Sequence, residues 1–364
     1  MVRVISSFLL CIILFFFNKY LKLQIKGGTR MDKVNIGVIG VGRIGQIHAR
    51  NLKYQIPEAR LLAVSDILEN NARQFAQQLE IPLAEKDYRV LLENKDIDAI
   101  VICSSTDTHA QIISEAAEAK KHIFCEKPIA LQLSKIDQAM ETVKKSGVKL
   151  WVGFNRRFDP SFKKAKELVA NGVIGIPHLV RITSRDPEPP PLNYVKVSGG
   201  IFLDMMIHDF DMARYLLGQE VVELMAVGSC LVDPKIGEVG DIDTAVVILK
   251  YEGGAWGTTD NSRRAVYGYD QRVEIFGSEG CVMVGNPTST KVVIKNARDT
   301  ISDKPLYFFL ERYQEAYLIE MKEFINCIKE GKEPLVSGLD GKISVQMGYA
   351  AKESLSKRSF IKVK

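Results

Sequence analysis

The chain has 364 residues, 46% of them hydrophobic and 26% charged. That is the composition of a soluble globular protein with apolar content for two cores, each in a domain of roughly 150 residues. The formal charge of +5 comes from residues 1–30, where Arg3, Lys19, Lys22, Lys26 and Arg30 stand without an acid; removing these five from 49 basic residues leaves 44 against 44 acidic ones. A neutral body gives no footing for a nucleic-acid partner.

Residues 1–30 read as foreign to the rest. Val4 to Phe17 is nearly all apolar, but this run is shorter than the roughly 20 residues that span a bilayer. A lysine-rich stretch follows it where a signal peptide would show a small-residue cleavage site. Three readings stay open: an upstream segment with the start at Met31, a membrane anchor, or a cleaved targeting signal. The first is favoured because Met31-Asp32-Lys33 leads straight into a strand. Membrane association is expected only if this segment is a real anchor, and a cytoplasmic location is expected otherwise. Cys11, Cys103, Cys125, Cys230, Cys281 and Cys327 are scattered, with no CxxC or HExxH. A metal site has no support in such spacing, and buried free thiols in a reducing compartment are expected.

From Met31 to Phe154, apolar strand candidates at 34–40, 61–66, 99–104, 122–125 and 148–154 alternate with helical patterns near 44–54, 69–79, 87–93, 108–120 and 133–146. Such alternation specifies a parallel, doubly wound sheet with helices on both faces. The first strand runs into Gly40-Val41-Gly42-Arg43-Ile44-Gly45, and Asp66 ends the second strand. Strand, glycine turn, helix, strand and terminal acid make the dinucleotide-binding fingerprint. Gly40 permits the turn, Gly42 lets a pyrophosphate approach the helix N-terminus, and Gly45 packs helix on strand. Asp66 accepts from the ribose hydroxyls and repels a 2′-phosphate, so NAD is the expected cofactor rather than NADP. The polar segments Ser104-Ser105-Thr106 with His109, Glu126-Lys127-Pro128 and Asn155-Arg156-Arg157 all fall at carboxyl ends of strands, where the ligand crevice opens.

The second half has a helix at about 160–171, then strand runs at 176–184, 221–229, 243–251, 254–260, 271–276, 280–284 and 291–295 joined by tight turns. A large, mostly antiparallel sheet is expected, with a helix at about 203–217 and further helices near 311–330 and 340–355. The domains read as 31–154 and 155–364. Pro187-Glu188-Pro189-Pro190-Pro191 is a stiff loop outside any ladder. Asp204 and His208, four apart in a helical pattern, are expected on one face, with the aspartate orienting the ring. Lys127 follows a buried strand at a forced turn, where an ammonium stabilises developing alkoxide charge.

Glycine fingerprint, Glu126-Lys127-Pro128 and the Asp204/His208 pair occur in the same order in the two-domain oxidoreductases named after glucose–fructose oxidoreductase, inositol dehydrogenase and the rhizopine-catabolism protein. From about Met31 onward the chain resembles that Gfo/Idh/MocA family. The resemblance implies that Lys127 and His208 act on a substrate hydroxyl and Asp204 supports His208. It also implies an open sheet in the second domain that mediates homo-oligomerisation, as a dimer or tetramer. Gly153 to Asp159, Phe202 to Arg214 and Ser262 to Arg272 resemble the inositol 2-dehydrogenase subgroup. This narrower resemblance implies inositol catabolism, with Arg157 and Tyr267 facing a cyclic polyol. Asn155 is a further candidate for holding its hydroxyls. A dehydrogenase of another sugar or inositol isomer, an NAD-dependent glycosidase, and a non-enzymatic NAD-binding regulator remain as alternatives.

Overall fold

The computed structural model describes residues 33–363, so the readings of residues 1–30 and of Cys11 lie outside the described residues. Six parallel strands form the first sheet: β1 Val34–Ile39, β2 Ala59–Ser65, β3 Leu83–Glu85, β4 Ala99–Ile102, β5 His122–Glu126 and β6 Leu150–Gly153. Their order is β3-β2-β1-β4-β5-β6. Helices α1 Arg43–Tyr54, α2 Glu69–Leu79, α3 Arg89–Glu93, α4 Thr106–Glu118 and α5 Leu133–Ser146 connect them. β1, β4 and their neighbours are almost wholly buried, as strands covered on both faces must be. The order reverses between β1 and β4, so the crevice at their carboxyl ends is the topological switch point. β3 is absent from the expected strands: three half-buried residues make no apolar run.

The glycine turn shows why its residue type is needed. Gly40 has φ +88, and a Cβ there would lie 2.7 Å from the Cys103 carbonyl carbon and oxygen. A Cβ at Gly45 would lie 1.9 Å from the Gly40 oxygen, so α1 is able to sit on β1 only with hydrogen at that position.

A 3₁₀ turn, Asn155–Phe158, leads into α6 Pro160–Ala170. The second sheet then contains β7 Pro177–Arg185, β8 Val221–Ser229, β9 Thr244–Tyr251, β10 Trp256–Ser262, β11 Asp270–Gly277 and β12 Gly280–Val284. With β15 Ile361–Lys362 at its edge, its order is β12-β11-β7-β10-β9-β8-β15. All adjacent pairs are antiparallel except β7 with β10. The strand expected at 291–295 belongs instead to a separate hairpin, β13 Val293–Lys295 with β14 Thr300–Ser302.

Between β7 and β8 the chain makes α7 Leu192–Ser198, α8 Ile201–Asp204 and α9 Ile207–Leu217; α10 Pro234–Glu238 follows β8. The single helix expected at 203–217 is therefore broken. Gly199 and Gly200 have φ +89 and +79 and admit the chain to one helical turn. The Met206 N–H then bonds the Ile201 carbonyl, five residues back, before α9 begins. Asp204 and His208 stand on either side of that break. Late in the chain come α11 Phe309–Arg312, α12 Gln314–Glu330 and α13 Gly338–Lys357. α12 returns to pack on α1, β1 and the 3₁₀ turn, while α13 lies against α5, β6, α9 and β8. The described cysteines are all free. Among the described residues no helix is long and apolar enough to cross a membrane.

Candidate active site

The cofactor half of the site is built at the switch point. Gly42 caps α1, and a Cβ added to it would meet nothing within 4 Å. Open space over the first N–H groups of a helix is what a pyrophosphate requires. Asp66, at the end of β2, accepts from the backbone N–H of Val41 at 3.0 Å and of Leu68 at 2.9 Å. Its carboxylate thus ties the glycine turn to the second strand beside the place where a ribose would lie. The residues present fit a dinucleotide. Arg43 and Ile44 open α1, and Ser104, Ser105 and Thr106 form the turn from β4 into α4.

His109 does not line the crevice. It is 2% exposed, with Nδ1 2.8 Å from the Pro128 carbonyl and Nε2 3.0 Å from the Ser104 carbonyl. It braces the β4 turn against the Lys127-Pro128 turn, whose peptide bond is cis. Burial lowers the His109 pKa, against the pull of these two carbonyls.

Lys127 extends from the end of β5 to the second domain. Its ammonium donates to the Asp204 backbone carbonyl at 2.8 Å and lies 3.7 Å from Asp204 Oδ1. Asp204 Oδ1 also accepts from the Tyr194 hydroxyl at 2.7 Å, and Arg263 approaches Oδ2 at 3.4 Å. Asp204 therefore engages Lys127, Tyr194 and Arg263. The expected orientation of His208 by Asp204 from one helix face is not seen, because the helix breaks between them. His208 Nδ1 is buried without a partner among the described residues, and its ring packs edge-on against Phe154 at 5.9 Å. Nε2 is the nitrogen left for the cleft. Burial, then Lys127, then Arg156 push the His208 pKa well below the usual imidazole value, which leaves a neutral base.

The paired arginines part company. Arg156 is 4% exposed and bonds Asp209 at 2.6 Å and Ser184 at 2.9 Å, close enough to act on His208. Arg157 turns the other way, holding Asp211 at 2.5 and 2.8 Å and Asp340 at 3.0 Å. The expectation that Arg157 faces the polyol is corrected: its donors are committed to structure, and Arg156 is the arginine on the His208 side. Asn155 is buried with Nδ2 unpartnered. Tyr267 folds back to donate to Asp270 at 2.6 Å and lies 3.4 Å from Arg185. Asp186, just past β7, joins the Asp204–Arg263 cluster. Burial pushes its carboxyl up to about 6, with Arg263 opposing and Asp204 adding to the rise.

Asp186, Tyr194, Arg156 and Arg263 escape the sequence reading. Arg263 had a signal, since it stands in the Ser262–Arg272 run. Tyr194 had none beyond following the proline loop. His48, buried on α1 with Nε2 2.7 Å from Glu126 Oε1, also had none. It anchors the residue before Lys127.

Fold and site together define an oxidoreductase with an NAD-binding Rossmann domain. Residues 34–154 match the family described as oxidoreductase, NAD-binding Rossmann fold, and residues 162–283 match the GFO/IDH/MocA C-terminal domain. The chain belongs to the GFO/IDH/MocA oxidoreductase family. It is 54% identical over 330 residues to the myo-inositol 2-dehydrogenase of Thermotoga maritima, covering 91% of this chain and 98% of the relative. It is 43% identical over 331 residues to the inositol 2-dehydrogenase of Rhizobium meliloti, covering 91% and 99%. A solved structure of scyllo-inositol dehydrogenase from Lactobacillus casei, with bound NAD(H) and scyllo-inositol, is 31% identical with a TM-score of 0.84, covering 91% of this chain and 99% of that one.

Proposed function

We propose that this chain oxidises myo-inositol to 2-keto-myo-inositol with NAD, as a step of inositol catabolism in the cytoplasm. The observation that carries the reading is the meeting of Lys127, from the end of β5, with Asp204 of the second domain, beside a His208 held neutral. The inositol dehydrogenases it resembles supply the substrate class. Gly42, Asp66 and the Ser104–Thr106 turn would hold NAD, which would supply the acceptor for the hydride of the carbinol carbon. His208 Nε2 takes the hydroxyl proton, which a neutral imidazole is free to do. The Lys127 ammonium sits where charge develops on the oxygen. Asp204 holds Lys127 and Tyr194 in register across the domains, and Asn155 and Asp186 offer polar groups to the other ring hydroxyls.

The same reading makes the protein a homo-oligomer, a dimer or tetramer, joined through the open face of the second sheet. Leu179, Val246, Ile248, Trp256, Phe276 and Met283 are exposed there on registered neighbouring strands.

The test is cofactor reduction with a panel of inositols and aldoses. Production of NADH with myo-inositol, exceeding that with aldoses, is the expected result. NADH from an aldose alone would give the site to a different sugar. Glycoside cleavage without net NADH would replace the dehydrogenase by a glycosidase, and NAD binding with no turnover on any of these would favour a regulator.

A further inference from the structure

The segment between β14 and α11 crosses from the second domain to the glycine turn. Leu306 is fixed to the sheet, its carbonyl accepting from the Tyr269 N–H at 3.0 Å. The Tyr307 hydroxyl donates to Glu188 of the proline loop at 2.7 Å. The Tyr307 N–H bonds Glu311 Oε2 at 3.1 Å, which ties the segment to α11. The next residue, Phe308, lies in the opposite direction. Its ring packs on Phe309, with centroids 4.5 Å apart, and the Arg43 guanidinium sits over it, 5.4 Å from the centroid.

Arg43 directly follows the second glycine of the fingerprint and is the first residue of α1. Its backbone belongs to the helix end that meets a pyrophosphate, yet its side chain is exposed and has no carboxylate partner among the described residues. A guanidinium on a long flexible stem loses rotamer freedom when it binds an anion. An aromatic face beneath it limits that freedom in advance and lowers the water content around the charge.

We propose that Phe308 is a positioning residue for the cofactor: by stacking under Arg43 it aims the guanidinium at the dinucleotide pyrophosphate, so that the NAD site is completed by the second domain. Tyr307 and Phe308 are adjacent, and they hold the proline loop and the glycine turn respectively, so one short strap links the two. The proposal rests on the cofactor reading of the fingerprint, and the ligands below separate the two.

The experiment measures binding of NAD, ADP-ribose and adenosine by titration calorimetry. It compares the full chain with Arg43→Ala, Phe308→Leu and the double substitution. Phe308→Leu is expected to weaken NAD and ADP-ribose by about 2- to 30-fold, the range a cation–π contact supplies between exposed and desolvated settings. Adenosine, which lacks the pyrophosphate, should bind as before. The double variant should bind NAD no more weakly than Arg43→Ala alone, since the ring acts only through the guanidinium. Phe308→Tyr should restore wild-type affinity, and Phe308→Leu should raise KM for NAD with kcat held. Additive losses in the double variant, or equal weakening of adenosine, would overturn the proposal and make Phe308 a packing residue. Unchanged NAD binding in Phe308→Leu would overturn it outright. Failure of the wild-type chain to bind NAD or ADP-ribose would overturn this and the cofactor reading together.

Discussion

Burial and the flanking cations Lys127 and Arg156 keep the His208 imidazole neutral far below its ordinary range. As the proposed base it is thus already in its working form at neutral pH, and the acid limb of kcat is expected below the ordinary imidazole titration. Substituting His208→Ala should lower kcat by roughly 10²–10⁴-fold, with NAD affinity little changed because the ring comes from α9 and not from the glycine turn or its strap. Near-wild-type turnover on myo-inositol would refute the assignment. Lys127 and Asp204 do meet, as their motifs led one to expect, but Asp204 and His208 fall on either side of a helix break and Asp204 engages Lys127 rather than the imidazole. Arg156 and Arg157 were not legible, since neighbours on a 3₁₀ turn point apart and only the tertiary partners Asp209 and Asp211 decide which faces the site. Glu320 was silent in the sequence too. It is fully buried on α12 with the Trp151 indole facing it, and burial followed by Glu126 raises its pKa well above the usual carboxyl value. A raised acid stabilises the fold fully below the unfolded-state pKa, and that contribution is lost as pH rises through the folded value. The melting temperature should therefore decline toward alkaline pH, and Glu320→Gln should flatten that decline. Parallel melting profiles for the two proteins would show that Glu320 ionises without cost.

Within the first glycine turn, three residues of one type answer to three different constraints, and substitution separates them. Gly45→Ala drives a Cβ to 1.9 Å from the Gly40 oxygen. Backbone must move, and destabilisation of at least about 1–3 kcal/mol is expected in denaturant unfolding. Gly42→Ala meets nothing within 4 Å and keeps an ordinary φ of −67, so stability should hold. The methyl would instead occupy the space over the helix N-terminus and raise Kd for NAD. If Gly42→Ala binds NAD normally, the pyrophosphate does not lie there. Elements of this kind were legible because hydrophobic period and glycine position agree. The break between α8 and α9 was not: Phe202 to Arg214 keeps helical spacing throughout, and only the Gly199-Gly200 turn reveals that the chain starts a single turn before it settles. β3 and β14 escaped for the complementary reason, being three residues long with no buried alternation.

At the scale of the whole molecule, the second sheet is covered on one side only among the described residues. α6, α9 and α13 pack on its inner face, whereas the outer face shows Trp256 at 41%, Phe276 at 45% and Met283 at 71% exposure. Monomeric proteins rarely leave a contiguous apolar patch of more than a few hundred Å² uncovered. Leu179 pairs in register with both Trp256 and Phe276, and Ile248 pairs with Thr258 and Met225, so the apolar groups form neighbouring rows. A second copy of the same face is the simplest complement, because a twofold axis presents each row to its equivalent. The full chain should therefore have a light-scattering mass that is a multiple of 40.7 kDa. Ile248→Asp with Trp256→Glu should shift it toward the single-chain mass, since buried like charges facing their own copies repel. The glycine turn lies in the other domain, so the separated subunits should still bind NAD, and loss of binding along with assembly would show that the variant had unfolded. A wild-type protein running at the single-chain mass at micromolar concentration would remove the oligomer from the proposed function while leaving the chemistry of Lys127 and His208 intact.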